Sequence, residues 1–204
     1  TVKDENVFNI AIDGNFDDCQ NIVKQMFSDL YFSKSINMSG VNSINWARII
    51  AQSVYYFYSY FLVKNDEEPV NFSVPTGNFG DVYAGYLAKK MGLPINKLIV
   101  ATNQNDILHR AISKGSYEAE KVSETISPSM DIQIASNFER LIFDLNDEDD
   151  KQTYLDMKNI KENGKYLINE DKLNKIRENF LSAKMSEDET LEVIKNVYEK
   201  FDVV

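Results

Sequence analysis

A single cysteine, a single histidine and the absence of any apolar run approaching a membrane span set the first limits on this chain of 204 residues. With only Cys19, no disulfide can form within the chain, and a reducing cytoplasm is the expected compartment. With only His109, a metal site would need further ligands at suitable spacing, and none offers itself. No Ser-His-Asp or Cys-His set stands out either. The most hydrophobic piece, Ile44 to Val63, is broken by Asn45, Arg48, Gln52, Ser53 and Ser59, so it reads as a buried helix rather than a membrane span. The first residues show no basic run followed by an apolar one, so no secretory leader is expected. Positive charge is scarce as well: 22 Lys and Arg stand against 32 Asp and Glu, a net charge of −10, which argues against nucleic acid or an anionic membrane as partner.

What is present suffices for a core. Apolar residues make up 43% of the chain, and its length suits one large domain or two small ones. The acids are uneven: residues 144–204 hold half of the 32, against ten basic residues, a pattern that fits a solvated helical face better than an acidic binding surface.

Val7 to Ile12 reads as a strand buried on both faces. Gly14 to Asp18 then turns into a helix with Ile22, Val23, Met26, Phe27 and Leu30 at helical spacing, capped by Asn15 or Asp17. Residues 33–43 are polar and loop-like. A second helix runs from about Ser43–Asn45 to Val63, with Trp46, Ile49, Ile50, Val54, Phe57 and Phe61 on one face and Tyr55, Tyr56 and Tyr60 on its other sides. Val70–Val74 is a strand, Asp81–Met91 a helix stopped by Gly92, Lys97–Ala101 a strand, and Ile107–Lys114 a helix ended by Gly115. Strands alternating with helices imply a parallel sheet covered by helices, with the loops at 13–18, 75–81 and 101–106 on one strand-end edge, where ligands bind in such sheets. Further on, 127–131 reads as a loop and Ser136–Asp144 as a helix. The acidic remainder reads as helical, with Leu173, Ile176, Phe180 and Leu181 on one helix. Ser186 to Glu189 forms a capping box for another, whose Leu191, Ile194, Val197, Tyr198 and Phe201 point inward.

The densest chemical signal is Pro75-Thr76-Gly77-Asn78-Phe79-Gly80-Asp81, between a strand and a helix holding Ala84, Gly85 and Ala88. Such a unit aims backbone N–H groups and a helix N-terminus at one spot, which suits a phosphate group, and its glycines permit close backbone approach. It matches neither of the common nucleotide-loop fingerprints, and a turn that needs glycine for geometry alone is an equal reading. At 14–18 two successive acids would repel a phosphate, and simple capping is favoured. Asn42-Ser43-Ile44-Asn45 with Arg48 could grip an anion, but capping plus a structural Arg is the commoner meaning. His109 reads as a surface or half-buried helix residue, and Cys19 as packing, since Asp17 and Asp18 oppose its ionisation.

Taken together, these blocks resemble the threonine synthase family, enzymes of fold type II that use pyridoxal 5′-phosphate (PLP). The resemblance rests on residues 75–81 with the following Ala-Gly-Tyr-Leu-Ala-Lys-Lys-Met-Gly-Leu-Pro, and on four further blocks. These are 13–20; 41–48 with Ala51-Gln52 and Tyr55-Tyr56-Phe57; 99–103 with Asn105-Asp106; and 127–131 with Asn137-Phe138-Glu139-Arg140. They are collinear over about residues 7–145. The resemblance implies a three-layer, mainly parallel sheet with helices on both faces, the large domain of a fold type II enzyme, followed by a helical C-terminal segment. Residues 1–145 would be the PLP-phosphate-binding α/β portion and 146–204 an acidic helical extension of the same domain. It implies conversion of O-phospho-L-homoserine and water to L-threonine and phosphate, with PLP as electron sink. Gly77, Asn78, Phe79, Gly80 and Asp81 would bind the cofactor phosphate, and Ser43, Asn45 and Arg48 would face the small-molecule substrate. The family's Schiff-base lysine, in a Ser-Phe-Lys-Asp block, and its late Thr-Ala-His-Pro-like segment have no counterpart here. The chain is therefore expected to be an internal piece of the enzyme, inactive alone and holding no catalytic residue of its own. The stretch 146–204 is its least family-like part.

Other classes remain open: a fold type II serine or threonine dehydratase, against which Asn-Ser-Ile-Asn and Ser-Pro-Ser-Met-Asp speak; a non-catalytic α/β module binding a phosphate-bearing ligand; or an interaction domain using the aromatic helix.

Overall fold

The structure, a computed structural model, describes residues 4–14, 16–42, 45–64 and 68–203, with residues 16 and 17 described by their backbone only. Two compact units emerge, one ending at Gly40 and one beginning at Val41.

The first unit holds α1 (Phe16–Ser28) and α2 (Leu30–Ser35). The strand expected over 7–12 does not form: Phe8 and Ile10 are 83% and 81% exposed, and no described strand pairs with this segment. A strand is held by its ladder, so apolar composition alone cannot make one without a neighbour. The polar loop expected from residue 33 is also shortened. Asp29 accepts from the N–H groups of Tyr31 and Phe32, and this cap sustains a short helix to Ser35.

The second unit is α/β, with a parallel sheet flanked by helices. Its core sheet has the order β1 (Val70–Pro75), β2 (Ile95–Thr102), β5 (Phe180–Lys184), all parallel. A small antiparallel pair, β3 (Ser116–Glu118) and β4 (Lys165–Leu167), closes beside it. The helices are α3 (Trp46–Val63), α4 (Gly80–Lys90), α5 (Ile107–Lys114), α6 (Phe138–Leu145), α7 (Asp150–Asn163), α8 (Glu170–Asn179) and α9 (Glu187–Phe201). None of the described helices is long and apolar enough to cross a membrane.

The acidic C-terminal stretch is thus not wholly helical, since β5 completes the central sheet. Phe180 and Leu181 continue the apolar spacing of Leu173 and Ile176, yet α8 stops at Asn179 and Phe180 is extended (φ −120°, ψ 144°). Five residues without a β-branched side chain carry little strand signal of their own. Pairing with β2 decides the matter: Phe180 lies opposite Leu98, and both are fully buried. Leu98, Val100 and Phe180 face the helices, while Leu181, on the other face with Ile99, is 50% exposed.

α3 buries Ile49, Ser53, Tyr56 and Tyr60, whereas Val54 and Phe61, grouped by spacing on one face with Ile49, are each 61% exposed. A helix apolar nearly all round does not choose its inner face; the neighbour does. Here Tyr56 meets Phe72 of β1 edge-on at 5.0 Å and lies over Gly85 of α4. α9 forms as expected with its Ser186–Glu189 capping box, but Leu191, Ile194, Tyr198 and Phe201 are exposed because no described element packs over them.

Gly85 sets the spacing between α3, α4 and the sheet. A Cβ there would stand 2.5 Å from the Tyr56 ring and 2.9 Å from Leu98 Cδ2. Gly85→Ala is expected to destabilise the fold by about 1–3 kcal/mol through overpacking, despite the better helix propensity of Ala. Urea unfolding checks this, and an unchanged midpoint would refute the packing account.

Candidate functional site

The three core strands end together at Pro75, Thr102 and Lys184, and the loops that leave them, 75–81, 102–106 and 184–186, gather at that edge. The expected partner loop at 13–18 belongs to the other unit and follows no strand, and Asn15 lies outside the described residues.

The loop at 75–81 is held from below. The Thr76 N–H donates to the Ala101 carbonyl at 2.8 Å, and its hydroxyl to the Val74 carbonyl at 2.6 Å. Gly77 rests on the 129–132 segment, where a Cβ would come within 3.0–3.2 Å of Ile132, Met130 and Ser129. Phe79 has φ +64°, a conformation bulky residues rarely adopt, and its side chain is 1% exposed. The ring sits edge-on to Phe138 at 5.3 Å and lies 5.7 Å from Phe180, while Phe138 stacks on Tyr117 at 4.9 Å. Core packing therefore holds the left-handed turn, and Phe79 can offer a ligand only its backbone.

That turn leaves donors open. From Gly77 through Val82, six consecutive N–H groups find no acceptor among the described residues; the first α4 hydrogen bond is Tyr83 N–H to the Phe79 carbonyl, at 3.1 Å. Buried backbone N–H groups without partners are rare in proteins. Phe79, Gly80 and Val82 are buried residues, and a row of such groups at a helix N-terminus has the donor geometry that suits an anion.

The other named residues separate into two groups. Asp81 opens α4, but its side chain lines a cleft of about 180 Å3 with Tyr55, Tyr56, Ser59, Phe72 and Pro75. The Tyr56 hydroxyl donates to the Asp81 carbonyl at 3.0 Å. Burial pushes the Asp81 carboxyl above its ordinary range, partly offset by that hydroxyl, and burial together with the Asp81 charge pushes the Tyr56 phenol up. Ser43 lies outside the described residues. Asn45 caps α3 by accepting from Ala47 N–H, and Arg48, exposed, donates to the Val41 carbonyl at 2.9 Å. The block nonetheless approaches the loop's helix through Trp46, whose ring lies 6.4 Å from Tyr83 and under the Arg140 guanidinium at 5.2 Å. His109, half-buried, meets the Ser182 hydroxyl at 3.0 Å. Cys19 is free and half-buried in α1.

Sequence reasoning gave no role to the segment that backs the loop. Asp131 accepts from the Asn103 and Asn105 amides, from Thr125 N–H and from the Thr125 hydroxyl, at 2.6–3.0 Å. Buried Asn105 in turn accepts from Ser123 N–H and the Gln133 amide. Asn137 N–H donates to the Asn78 carbonyl at 3.1 Å, and Ser136 donates to Asn78 Oδ1 through both N–H and hydroxyl at 3.3 Å. Arg140 Nε donates to Asn137 Oδ1 at 2.9 Å. The only signal in the sequence was the crowd of Asn, Ser, Thr and Asp in two loops on either side of α5.

Two predictions follow from these contacts. Phe79→Ala should cost about 3–5 kcal/mol, because a buried ring is removed and the turn it pins is released; chemical denaturation checks the size. Asp106 is bonded by Arg110 and Lys184, each at 2.8 Å. Burial raises its carboxyl, but these two cations outweigh burial and hold it below the usual range. A lowered folded pKa gives stability that is present above the unfolded value of about 4 and lost as pH falls through the folded one. The stability gap between wild type and Asp106→Asn should therefore be full at pH 7 and close below about pH 4; a gap independent of pH would contradict the ion-pair account.

No family model matches the chain. Among curated proteins it is 48% identical to threonine synthase of Pseudomonas aeruginosa over 97% of its own length and 42% of that protein's. It is 49% identical to threonine synthase of Saccharomyces cerevisiae over 98% of its length and 41% of the relative. Among solved structures it superposes on PLP-bound threonine synthase from Brucella melitensis with a TM-score of 0.86 at 50% identity, covering 95% of this chain and 42% of that one. The chain spans about two fifths of the length of the curated relatives it matches, and the likeness runs on through the acidic stretch beyond residue 145. With close to half its residues identical over almost its whole length, and its fold superposing on theirs, the chain belongs to the threonine synthase family.

Proposed function

We propose that this chain is the part of a threonine synthase that holds the phosphate of PLP, and that the whole protein converts O-phospho-L-homoserine and water to L-threonine and phosphate. The observation that carries the proposal is the row of N–H groups from Gly77 to Val82, at the start of α4, with no acceptor among the described residues. A phosphate needs several donors converging, and Gly77 lets the loop lie directly on the 129–132 segment, where a Cβ would clash. Gly77, Asn78, Phe79, Gly80 and Asp81 serve through their backbone N–H groups. The Asp81 residue lines the cleft beside Tyr56. When bound, PLP supplies the electron sink for chemistry at the amino acid; this chain's part is to grip and orient it.

Asn45 and Arg48, with Ser43, are proposed to face the substrate from the start of α3, which Trp46 brings to the first turn of α4. An Arg near a phosphorylated substrate suits charge-assisted bonding. No lysine here stands in the family's cofactor-linking motif, so the isolated chain should be inactive, and the full-length protein is expected to work in the cytoplasm.

The test is phosphate release from O-phospho-L-homoserine by the full-length protein, with and without added PLP. PLP-dependent release with threonine formed is the expected result. Turnover of free serine instead would move the assignment to a dehydratase, and no turnover by a folded, PLP-loaded protein would defeat both.

A further inference from the structure

Asn78 is set in one orientation by its neighbour. Its Oδ1 faces the Ser136 backbone N–H, which can only donate, and the Ser136 hydroxyl, both at 3.3 Å. Reversing the amide would turn an NH2 group onto an N–H, so the oxygen must point to Ser136 and the nitrogen elsewhere. Asn78 Nδ2 has no acceptor among the described residues. The turn that carries Ser136 is itself immobilised. Ala135 N–H donates to the buried Tyr117 hydroxyl at 2.8 Å, Phe138 N–H to the Ala135 carbonyl at 3.0 Å, and Asn137 N–H to the Asn78 carbonyl. Ala135, Asn137 and Phe138 are each at most 2% exposed. Asn137 follows the same rule one step away: Arg140 occupies its Oδ1, and its buried Nδ2 has no partner among the described residues.

We infer that Ser136 is a positioning residue: it turns the Asn78 amide so that the donor Nδ2, rather than the carbonyl oxygen, is left for the phosphate at the 77–82 loop. The inference rests on the phosphate-binding reading above. A reversed amide would bring an oxygen to an anion, exchanging a donor for a repulsive acceptor. The hydroxyl of Ser136 adds a second lock to the one its N–H supplies.

The experiment is a double-mutant cycle in the full-length protein, read as the dissociation constant for PLP from absorbance titration of the cofactor-free form. Ser136→Ala is expected to weaken binding about 3–10-fold, since one hydrogen bond is lost and the backbone N–H remains. Ser136→Thr, which keeps the hydroxyl, should restore it. In an Asn78→Ala background Ser136→Ala should have no further effect, because its route to the ligand is gone. A merely structural role would cost the same in both backgrounds, and that result overturns the inference, as does wild-type affinity in Ser136→Ala. Ser136→Cys, close in volume with a weak S–H donor, is run alongside and should give a smaller loss if Ser136→Ala fails to fold. Wild-type protein that does not bind PLP would instead defeat the reading of the loop itself.

Discussion

The burial of the Phe79 ring holds the rest of the site in place. A phenylalanine at φ +64° is strained, by roughly 1–2 kcal/mol for the left-handed conformation, and such a conformation persists only where its surroundings over-determine it. Here an aromatic cluster of Phe138, Phe180 and Tyr117 takes in the ring, drawing on α6, β5 and β3. Burial of the ring, with its two aromatic contacts, outweighs the backbone strain. The core thus fixes a turn that leaves six N–H groups without an acceptor among the described residues.

The donors need a rigid base as well as a bend. That base is the stretch from Ser123 to Asn137, folded back under the loop and tied by the Asp131 carboxylate to Asn103 and Asn105 after β2. Two loops that end adjacent strands thereby become one polar network. Networks of this kind are strong when every member is bonded, and Asp131, with four donors around it, is saturated. The orientation of Asn78 is the far end of the same network, one turn away.

Much apolar surface is exposed among the described residues. Segment 7–12, the outer side of α3, the Leu181 face of the sheet and the face of α9 all present large hydrophobic side chains to solvent. They agree with a chain that matches only about 42% of the length of its relatives.

The sequence by itself determined the elements that rest on local signals. The helix from Ile107 to Lys114 with its Gly115 stop, the capping box at Ser186, the strands around Val70–Val74 and Lys97–Ala101, and the glycine loop between the first of these and α4 all stand where spacing and capping chemistry put them. Tertiary structure alone decided whatever needs a partner distant in the chain. Phe180 to Lys184 became a strand because β2 offered a ladder 78 or more positions earlier, and 7–12 stayed unpaired because no described strand did. Tyr56 rather than Val54 turned inward because Gly85 left room for a ring. The glycines of the loop could be read as a place for phosphate, but the anchoring of Phe79 and the setting of Asn78 by Ser136 could not: periodicity reports neighbours a few residues apart, and these contacts join residues some 60 to 100 apart.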